Sequence, residues 1–251
     1  MGKHNTSFPI LHNRYEIRDQ IGEGGMSTVY KAWDRIAGQW IVLKHALPEA
    51  VDKSSFLREY EILCSLHHPH LPKAYDLYSS QSAMLFAMDL VEGRNLKECI
   101  QSEKTLTSSF FYSVFFQTLS ALQYCHNHQI VHYDLKPENI IIQNLDGSEF
   151  PLITLIDFGL AQKEEEFSTN VLQGTIQYSA PEVIKKEKSD HRSDLYALGV
   201  ILYEMAAGKN PFDDVNVVNV VVNHLEKKIH TVETDYSFVT EDIQKIILKL
   251  L

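Results

Sequence analysis

The sequence has few cysteines and no run of apolar residues long enough to cross a membrane. Its three cysteines, Cys64, Cys99 and Cys125, are odd in number and show no CxxC spacing, which disfavours a disulfide framework. A reduced, cytoplasmic protein is the simplest interpretation. The segment that comes nearest to a span of about 18 apolar residues, ALGVILYEMAAG, is interrupted by Glu204. We therefore expect neither a membrane span nor a secretory signal peptide.

The sequence also lacks an excess of basic residues. It carries 23 Lys and Arg against 33 Asp and Glu, a net charge of −10. Nucleic acids and anionic membranes attract proteins through a basic face, so we expect neither as a primary partner. The content of 44% hydrophobic and 22% charged residues is that of an ordinary soluble globular protein. A chain of 251 residues is long enough for one large domain or two modest ones.

The first part of the chain has the pattern of a sheet with one helix. Residues 1–13 lack periodicity, and we predict that they form a flexible extension. Alternation of apolar and polar residues then predicts strands over most of residues 14–91. Residues 53–67 are the exception, because their apolar side chains recur at helical spacing. This part is predicted to be a small β-rich lobe.

After Gly93 the pattern becomes mainly helical. Long apolar helices are predicted over residues 107–128 and 191–212, and an amphipathic helix opens at residue 242. Residues 92–251 are therefore predicted to form a hinge followed by a larger helical lobe. The chain contains no internal repeat and no low-complexity linker. We predict an α+β protein of two lobes with a cleft between them.

Residues 130–159 contain two polar clusters, each beside a run of β-branched residues. Between the clusters, two short predicted strands flank the turn sequence Asn144-Leu145-Asp146-Gly147. Because a hairpin brings its two ends together, Asn139 and Asp157 should lie side by side. Their oxygens are the ligands that hard divalent cations prefer. The clusters consist of His132, Asp134, Lys136 and Asn139, and of Asp157, Phe158 and Gly159.

A base, a cation and two metal ligands at one place suggest phosphoryl transfer, in which catalysis is mostly positioning and charge neutralisation. A solvated polar loop is the alternative for any one of these residues alone. The joint pattern is more specific: HYDLKPEN, with DFG beginning 18 residues after Asn139, resembles the catalytic and magnesium-binding loops of the eukaryotic-like (Hanks-type) Ser/Thr protein kinases. The lysine two places after the aspartate is typical of the Ser/Thr form. Within that form, the sequence most resembles the bacterial Ser/Thr kinases.

The resemblance implies a role for each polar residue of the site. Asp134 would orient the substrate hydroxyl and accept its proton, and Lys136 would neutralise the transferred phosphoryl group. Thr175, in the docking segment GTIQYSAPE, would bond near both. Asn139 and Asp157 would hold Mg²⁺, with Mn²⁺ as an alternative. Outside this set, Asp194 would anchor the backbone of the catalytic loop, and His132 and Phe158 would serve packing.

The resemblance also implies an ATP site. The glycine-rich turn IGEGGMSTV would cover the phosphates, although glycine is common in any hairpin turn; a Rossmann motif is excluded because a strand follows it. Lys44 would bind the α- and β-phosphates and be held by Glu59 rather than Glu61. The full predicted set is Ile21, Gly22, Gly24, Gly25, Ser27, Val29, Val42, Lys44, Glu59, Met88, Asp89, Val91, Asn95 and Ile141, with Met88 guarding the back pocket, Asp89 and Val91 at the adenine edge and Asn95 at the ribose.

Three features depart from the pattern of the family. Val42 replaces the usual alanine and narrows the adenine pocket. Tyr133 stands where many members have arginine. No arginine follows Arg192 to pair with Glu182 of the APE sequence, and the chain ends inside a predicted helix, so we expect a C-terminal end that is cut short and a helical lobe of reduced stability.

The predicted activation loop also departs from that of kinases switched on by loop phosphorylation. Val171 stands four residues before Thr175, where relatives carry the phosphorylated residue, and Ser168 and Thr169 are out of register. The acidic run 164–166 has no obvious partner and is predicted to be a solvated face. We therefore expect activity that is independent of loop phosphorylation.

Three functions remain open from the residues. The first is an ATP-dependent kinase acting on Ser or Thr hydroxyls of proteins, with a mild preference for basic substrates because Glu138 and Glu204 match positions that bind arginine in basophilic relatives. The second is a nucleotide-binding pseudokinase or scaffold. The third, a small-molecule kinase, is disfavoured by the docking segment around Thr175. The sequence does not specify the oligomeric state.

Overall fold

The strands of the first 91 residues form one antiparallel sheet. In the computed structural model, which describes residues 10–11, 13–23, 27–46, 53–79, 84–102, 106–143, 150–164, 175–226 and 229–251, six strands lie in the order β1-β2-β3-β4-β6-β5. They are β1 (Ile10–Leu11), β2 (Tyr15–Glu23), β3 (Ser27–Asp34), β4 (Gln39–Ala46), β5 (Ala74–Ser79) and β6 (Met84–Asp89). The alternation that predicted these strands reflects a buried face that includes Tyr15, Ala32, Ile41, Leu43, Leu85 and Ala87.

One helix accompanies this sheet, as the sequence predicts. Helix α1 (Lys53–Ser65) buries Phe56 and Leu63. The ring of Phe56 lies 5.0 Å from that of Phe86 on β6, so the helix packs its apolar face on the sheet. This packing fixes the direction in which the polar residues of α1 point.

The prediction of a flexible extension at residues 1–13 is wrong for Ile10 and Leu11. These residues form β1, which pairs with the start of β2 in the register Leu11↔Tyr15. The Arg14 amide donates to the Leu11 carbonyl and closes the turn, and Leu11 packs against the core of the sheet. Two residues are too short a strand to show an alternation in the sequence.

The second part of the chain is mainly helical. Its helices are α2 (Leu96–Ser102), α3 (Ser108–Asn127), α4 (Pro181–Ile184), α5 (Arg192–Ala207), α6 (Val217–Glu226) and α7 (Glu241–Leu250). Thr107 caps α3 by accepting a hydrogen bond from the Phe110 amide, and Gly208, with φ of 70°, ends α5. A Cβ at Gly199 would lie 2.7 Å from that of Leu250, so glycine permits the close packing of α5 and α7.

Within the described residues of this part, five short strands support the polar loops. Strand β7 (Arg94–Asn95) pairs with β9 (Ile140–Gln143), which pairs with β10 (Leu152–Leu155), while β8 (Ile130–Val131) pairs with β11 (Gln162–Lys163). Strands β9 and β10 form the predicted hairpin, with Leu155 opposite Ile140; its turn at 144–149 lies outside the described residues. A Cβ at Gly93 would lie 2.2 Å from the Ile142 carbonyl oxygen, so only glycine allows this approach.

The chain divides into two compact units, which confirms the predicted α+β, two-lobed fold class. The first unit comprises the chain through His67 together with Pro72–Val91, and the second comprises His68–Leu71 and Glu92–Leu251. The sequence did not predict α2 or α6. The α6 sequence VVNVVVNHLE is rich in β-branched valine, which has only modest helix propensity. Among the described helices, none combines the length and apolar character needed to cross a membrane.

Candidate active site

Lys44, which is partly buried, and Glu59, which is buried, form an ion pair in the first unit. The Lys44 Nζ lies 2.6 and 2.8 Å from the two carboxylate oxygens of Glu59, and Glu59 is only 4% exposed. Strand β4 carries the lysine and helix α1 carries the glutamate. Glu61, two positions further along α1, is exposed. Because both oxygens of Glu59 contact the ammonium, the Lys44 side chain is fixed at its charged end by α1 and at its backbone end by β4.

The glycine-rich turn is described only in part. Gly22 lies on β2 opposite Val29 on β3, and Ser27, which stands at the position of a third glycine, is buried. Ile21 is 49% exposed. Gly24 and Gly25 lie outside the described residues.

The predicted adenine-pocket residues lie at the end of the same sheet. Val42 pairs with Met88 across β4 and β6, and both side chains are buried. Asp89 ends β6, and its carboxylate accepts hydrogen bonds from the Lys73 amide and the Tyr75 hydroxyl. The Asp89 amide in turn donates to the Lys73 carbonyl at 2.9 Å, so both the side chain and the amide of Asp89 are bonded within the first unit. Val91 is half-buried and is the last residue of the first unit.

Asn95 has a structural role that the sequence prediction did not include. Its side-chain oxygen accepts a hydrogen bond of 2.9 Å from the Glu98 amide, and its Nδ2 donates to the Glu98 carboxylate at 2.9 Å. This is the bonding of a helix N-cap, here at the start of α2. Ile141, on β9, pairs with Asn95 on β7 and is half-buried. Ribose binding by Asn95 stays a prediction.

Asp134, Lys136 and Thr175 converge in the second unit. Lys136 Nζ donates to Asp134 Oδ2 at 2.6 Å and to the Thr175 hydroxyl at 3.1 Å. The Thr175 amide donates to Asp134 Oδ1 at 3.3 Å. Asp134 is 9% exposed. A nearly buried carboxylate is thus fixed beside an ammonium and a hydroxyl, although Thr175 is 41 residues away in the sequence.

Asn139 and Asp157 lie at the open ends of the β9–β10 hairpin, as predicted. The Ile156 amide donates to the Asn139 carbonyl at 2.8 Å, so Asp157 directly follows a residue bonded to Asn139. The Asn139 Nδ2 donates to the Asp134 carbonyl at 2.8 Å, which leaves the amide oxygen as the end suited to a cation. Asp157 has a positive φ of 65°. An amide oxygen and a carboxylate are a donor set that fits a hard divalent cation.

Asp194 anchors the backbone of the catalytic loop, which confirms that prediction. Its carboxylate, 1% exposed, accepts hydrogen bonds from the amides of His132 and Tyr133, both at 2.9 Å. The His126 ring adds a bond of 2.8 Å. His132 and Phe158 are fully buried, with ring centroids 4.7 Å apart, so their predicted packing role is also confirmed.

The Tyr133 side chain is buried, at the position where many members of the family carry an arginine. Its hydroxyl donates to the Ser189 carbonyl at 3.3 Å and accepts from the Ser189 hydroxyl. Burial is the main cause that raises the pKa of Tyr133, so the phenol stays neutral. The expectation that residues 164–166 have no partner is wrong for Glu164, which lies 3.2 Å from the His191 ring. Residues 165–174, which carry Ser168, Thr169 and Val171, lie outside the described residues.

Glu182 has a partner other than the arginine that the family would supply. The Ser193 hydroxyl donates to Glu182 Oε1 at 2.8 Å. The Glu182 carboxylate thus has a hydrogen-bond partner on α5, but a hydroxyl supplies no positive charge. The expected reduction in the stability of the helical lobe stays a prediction. Such a contact between α4 and α5 could not be predicted from the residues of either helix alone.

Glu204 also has partners within the chain. It is 3% exposed and accepts hydrogen bonds of 2.6 Å from Lys97 Nζ and from the Tyr178 hydroxyl. The sequence analysis did not single out Lys97, and nothing local could have done so, because 107 positions separate it from Glu204. Glu138, the other acidic residue expected to meet basic substrates, is exposed.

A β-rich unit with a carboxylate-held lysine, followed by a helical unit with this loop geometry, defines a protein kinase. The chain belongs to that family: the model of the protein kinase domain matches residues 15–251. The resemblance to Hanks-type Ser/Thr kinases is confirmed, and members of the family generally use ATP and a divalent metal.

The relatives include bacterial and animal proteins. The chain is 31% identical over 246 residues to serine/threonine-protein kinase PrkC of Bacillus subtilis, covering 95% of this chain and 37% of the relative. It is 29% identical over 248 residues to probable serine/threonine-protein kinase PknB of Lactococcus lactis, covering 96% and 39%. It is 32% identical over 240 residues to sperm motility kinase 3A of the mouse, covering 95% and 46%. The chain thus spans less than half the length of these relatives.

Proposed function

We propose that the chain is an active Ser/Thr protein kinase that transfers the γ-phosphoryl group of ATP to Ser or Thr hydroxyls of proteins. The convergence of Asp134, Lys136 and Thr175, with contacts of 2.6–3.3 Å, is the observation that carries the proposal. Nearly buried charged groups lower the stability of a protein unless they are paired or hydrogen-bonded, and a function in catalysis explains why they are present here. The names of the relatives support the same activity.

The reaction follows from the roles of these side chains. The acceptor oxygen forms a bond to the γ-phosphorus while the bond from that phosphorus to the β–γ bridging oxygen breaks, and ADP leaves with the electron pair. Asp134 orients the acceptor and takes its proton. Lys136 stabilises the charge on the transferred group, and Thr175 keeps the lysine and the aspartate in register. The Asp134 carboxylate exchanges its internal hydrogen bond for one to the substrate.

The remaining predicted residues bind the nucleotide and metal. Asn139 and Asp157 would hold Mg²⁺, or Mn²⁺ in its place, because both side chains offer hard oxygen ligands. The cation supplies neutralisation of phosphate charge. Lys44, oriented by Glu59, binds the α- and β-phosphates. Three further parts of the chain would contact ATP: the turn around Gly22 and Ser27, the strand pair at Val42 and Met88, and the predicted hinge.

A nucleotide-binding scaffold without transfer is the second candidate. Val42 favours it, because its buried side chain opposite Met88 leaves less room for adenine than alanine would. We also place the protein in the cytoplasm, which is consistent with its three free cysteines, Cys64, Cys99 and Cys125.

The test is transfer of label from γ-labelled ATP, with Mg²⁺, to a generic basic protein, followed by identification of the labelled amino acid. Wild type should label serine or threonine, and Asp134→Asn should lose about a hundredfold or more in rate. Asp213→Asn, which changes an exposed aspartate, is the matched control and should keep the wild-type rate. Nucleotide binding by thermal shift with no transfer by wild type would select the scaffold instead.

A further inference from the structure

Lys97, Tyr178 and Glu204 form a polar cluster that the proposed reaction does not use. Lys97 Nζ lies 2.6 Å from Glu204 Oε1 and 3.4 Å from the Tyr178 hydroxyl. The Tyr178 hydroxyl donates to the other oxygen, Glu204 Oε2, at 2.6 Å. Both oxygens of a carboxylate on α5 are therefore occupied, one by a lysine of α2 and one by a tyrosine of the docking segment.

This cluster lies beside the reaction centre. Tyr178 ends the 3₁₀ turn Ile176–Tyr178, which begins directly after Thr175, and the Tyr178 amide donates to the Thr175 carbonyl at 3.2 Å. Burial, and then the charges of Glu204 and Glu138, raise the pKa of Tyr178. Glu138 is two residues from Lys136, so its charge links the surroundings of Tyr178 to the loop that carries Lys136.

The lysine in this cluster is the exchangeable member. The Glu204 side chain is 4% exposed, whereas that of Lys97 is 29% exposed. An incoming cation can therefore reach the carboxylate only by replacing Lys97. While Lys97 stays, the two charges cancel at short range, and the cluster offers a substrate no net attraction for a basic side chain.

We propose that Lys97 is a specificity-determining residue: it fills an acidic subsite beside the acceptor site, so that the enzyme does not select a basic side chain there. The proposal deepens the proposed function and rests on it. It replaces the expectation of a basic preference through Glu204, and it predicts that removing the positive charge of Lys97 creates such a preference.

The experiment compares substrate selection by wild type and Lys97→Gln in a positional peptide library. Glutamine retains a donor toward Glu204 but lacks the charge. Wild type should show no selection for Arg or Lys traceable to Glu204, and Lys97→Gln should gain about tenfold selection at one position, as a hydrogen bond to a charged group would provide. Adding Glu204→Gln should abolish the gain. Lys249→Gln, which removes an exposed charge on α7, should select as wild type does.

A second measurement separates this proposal from the proposed function. Binding of matched peptides, in which arginine or glutamine stands at each position in turn, is measured by fluorescence anisotropy on both variants without turnover. If wild type transfers no phosphate, the kinase assignment fails, yet the arginine peptide should still bind more tightly to Lys97→Gln than to wild type. Equal arginine discrimination by wild type and Lys97→Gln, in the library or in binding, would overturn the role of Lys97.

Discussion

The Tyr133 amide donates a hydrogen bond of 2.9 Å to Asp194 Oδ1, and it does so from a left-handed backbone conformation with φ of 61°. Tyrosine is sterically strained in that region. The buried carboxylate also accepts from the His132 amide. It thereby compensates this strain and holds the backbone of the two residues that precede the proposed base. The position of Asp134 thus depends on a residue about 60 positions away in the sequence.

Asp194→Asn should therefore reduce both stability and activity. Asparagine keeps the volume but turns an NH₂ group toward an amide donor, which leaves a buried donor unsatisfied. We expect a loss of about 2 kcal/mol in the free energy of unfolding, measured by urea titration, together with a fall in kcat. Asp190→Asn is the control, since its ion pair with the exposed Arg192 should contribute less than about 1 kcal/mol. Equal losses in the two variants would show that Asp194 does not act as an anchor.

The Lys44–Glu59 pair provides a test with its own control on the same helix. Lys44→Met should lower kcat/KM about a hundredfold, and Glu59→Gln should lower it about tenfold, because the lysine loses the partner that orients it. Glu61→Gln, at an exposed position, should leave kcat/KM unchanged. Steady-state kinetics with ATP as the varied substrate and circular dichroism on each variant provide the comparison. Equal values of kcat/KM for Glu59→Gln and Glu61→Gln would show that the Lys44–Glu59 pair has no role in the reaction with ATP.

Activity should not depend on phosphorylation of the activation loop. Tyr133 supplies no cation to a phosphate, and its hydroxyl is bonded to Ser189, while Glu164 already has His191 beside it. The double variant Ser168→Ala, Thr169→Ala and phosphatase-treated wild type should both turn over at the wild-type rate. Thr175→Ala in the same segment should lose activity and shows that the assay responds to this region. A loss of about tenfold or more in the first two would refute the prediction.

His224 should make stability fall between neutral and acidic pH. Burial lowers the pKa of His224 from 6.5 to about 4, although a hydrogen bond with the Gln177 backbone acts in the opposite direction. Between these values the unfolded chain binds a proton that the folded chain does not, so its stabilising contribution is complete above pH 6.5 and is lost as the pH falls toward 4. The loss in the free energy of unfolding should amount to about 3 kcal/mol.

The measurement is urea unfolding at a series of pH values. His224→Gln should flatten the slope of the free energy of unfolding relative to wild type, whatever its effect at neutral pH. His230→Gln changes an exposed histidine and should leave the slope as it is in wild type. Parallel curves for wild type and His224→Gln would mean that this histidine does not titrate differently in the folded state.

Local patterns were sufficient to predict most of the described helices and strands of this protein. Alternation along β2–β4 and β6 and the helical spacing in α1 are short-range effects, in which a residue acts on neighbours within a few positions. The hairpin likewise follows from its own strands, and it brings Asn139 next to the residue that precedes Asp157. The motif that contains Asp134, Lys136 and Asn139 resembles that of one enzyme family, and it is this resemblance that implies a narrow class of chemistry.

The partners of the charged side chains were decided only by the tertiary structure. Lys97 with Glu204, Ser193 with Glu182 and His191 with Glu164 join residues 107, 11 and 27 positions apart. Hydrogen bonds and ion pairs depend on distances of a few ångströms between side-chain ends, and a one-dimensional pattern carries no such distances for separate elements. Helix α6 was missed for a related reason: its valines have no strong helical preference, and the buried Val220 and His224 acquire their surroundings only when the chain has folded.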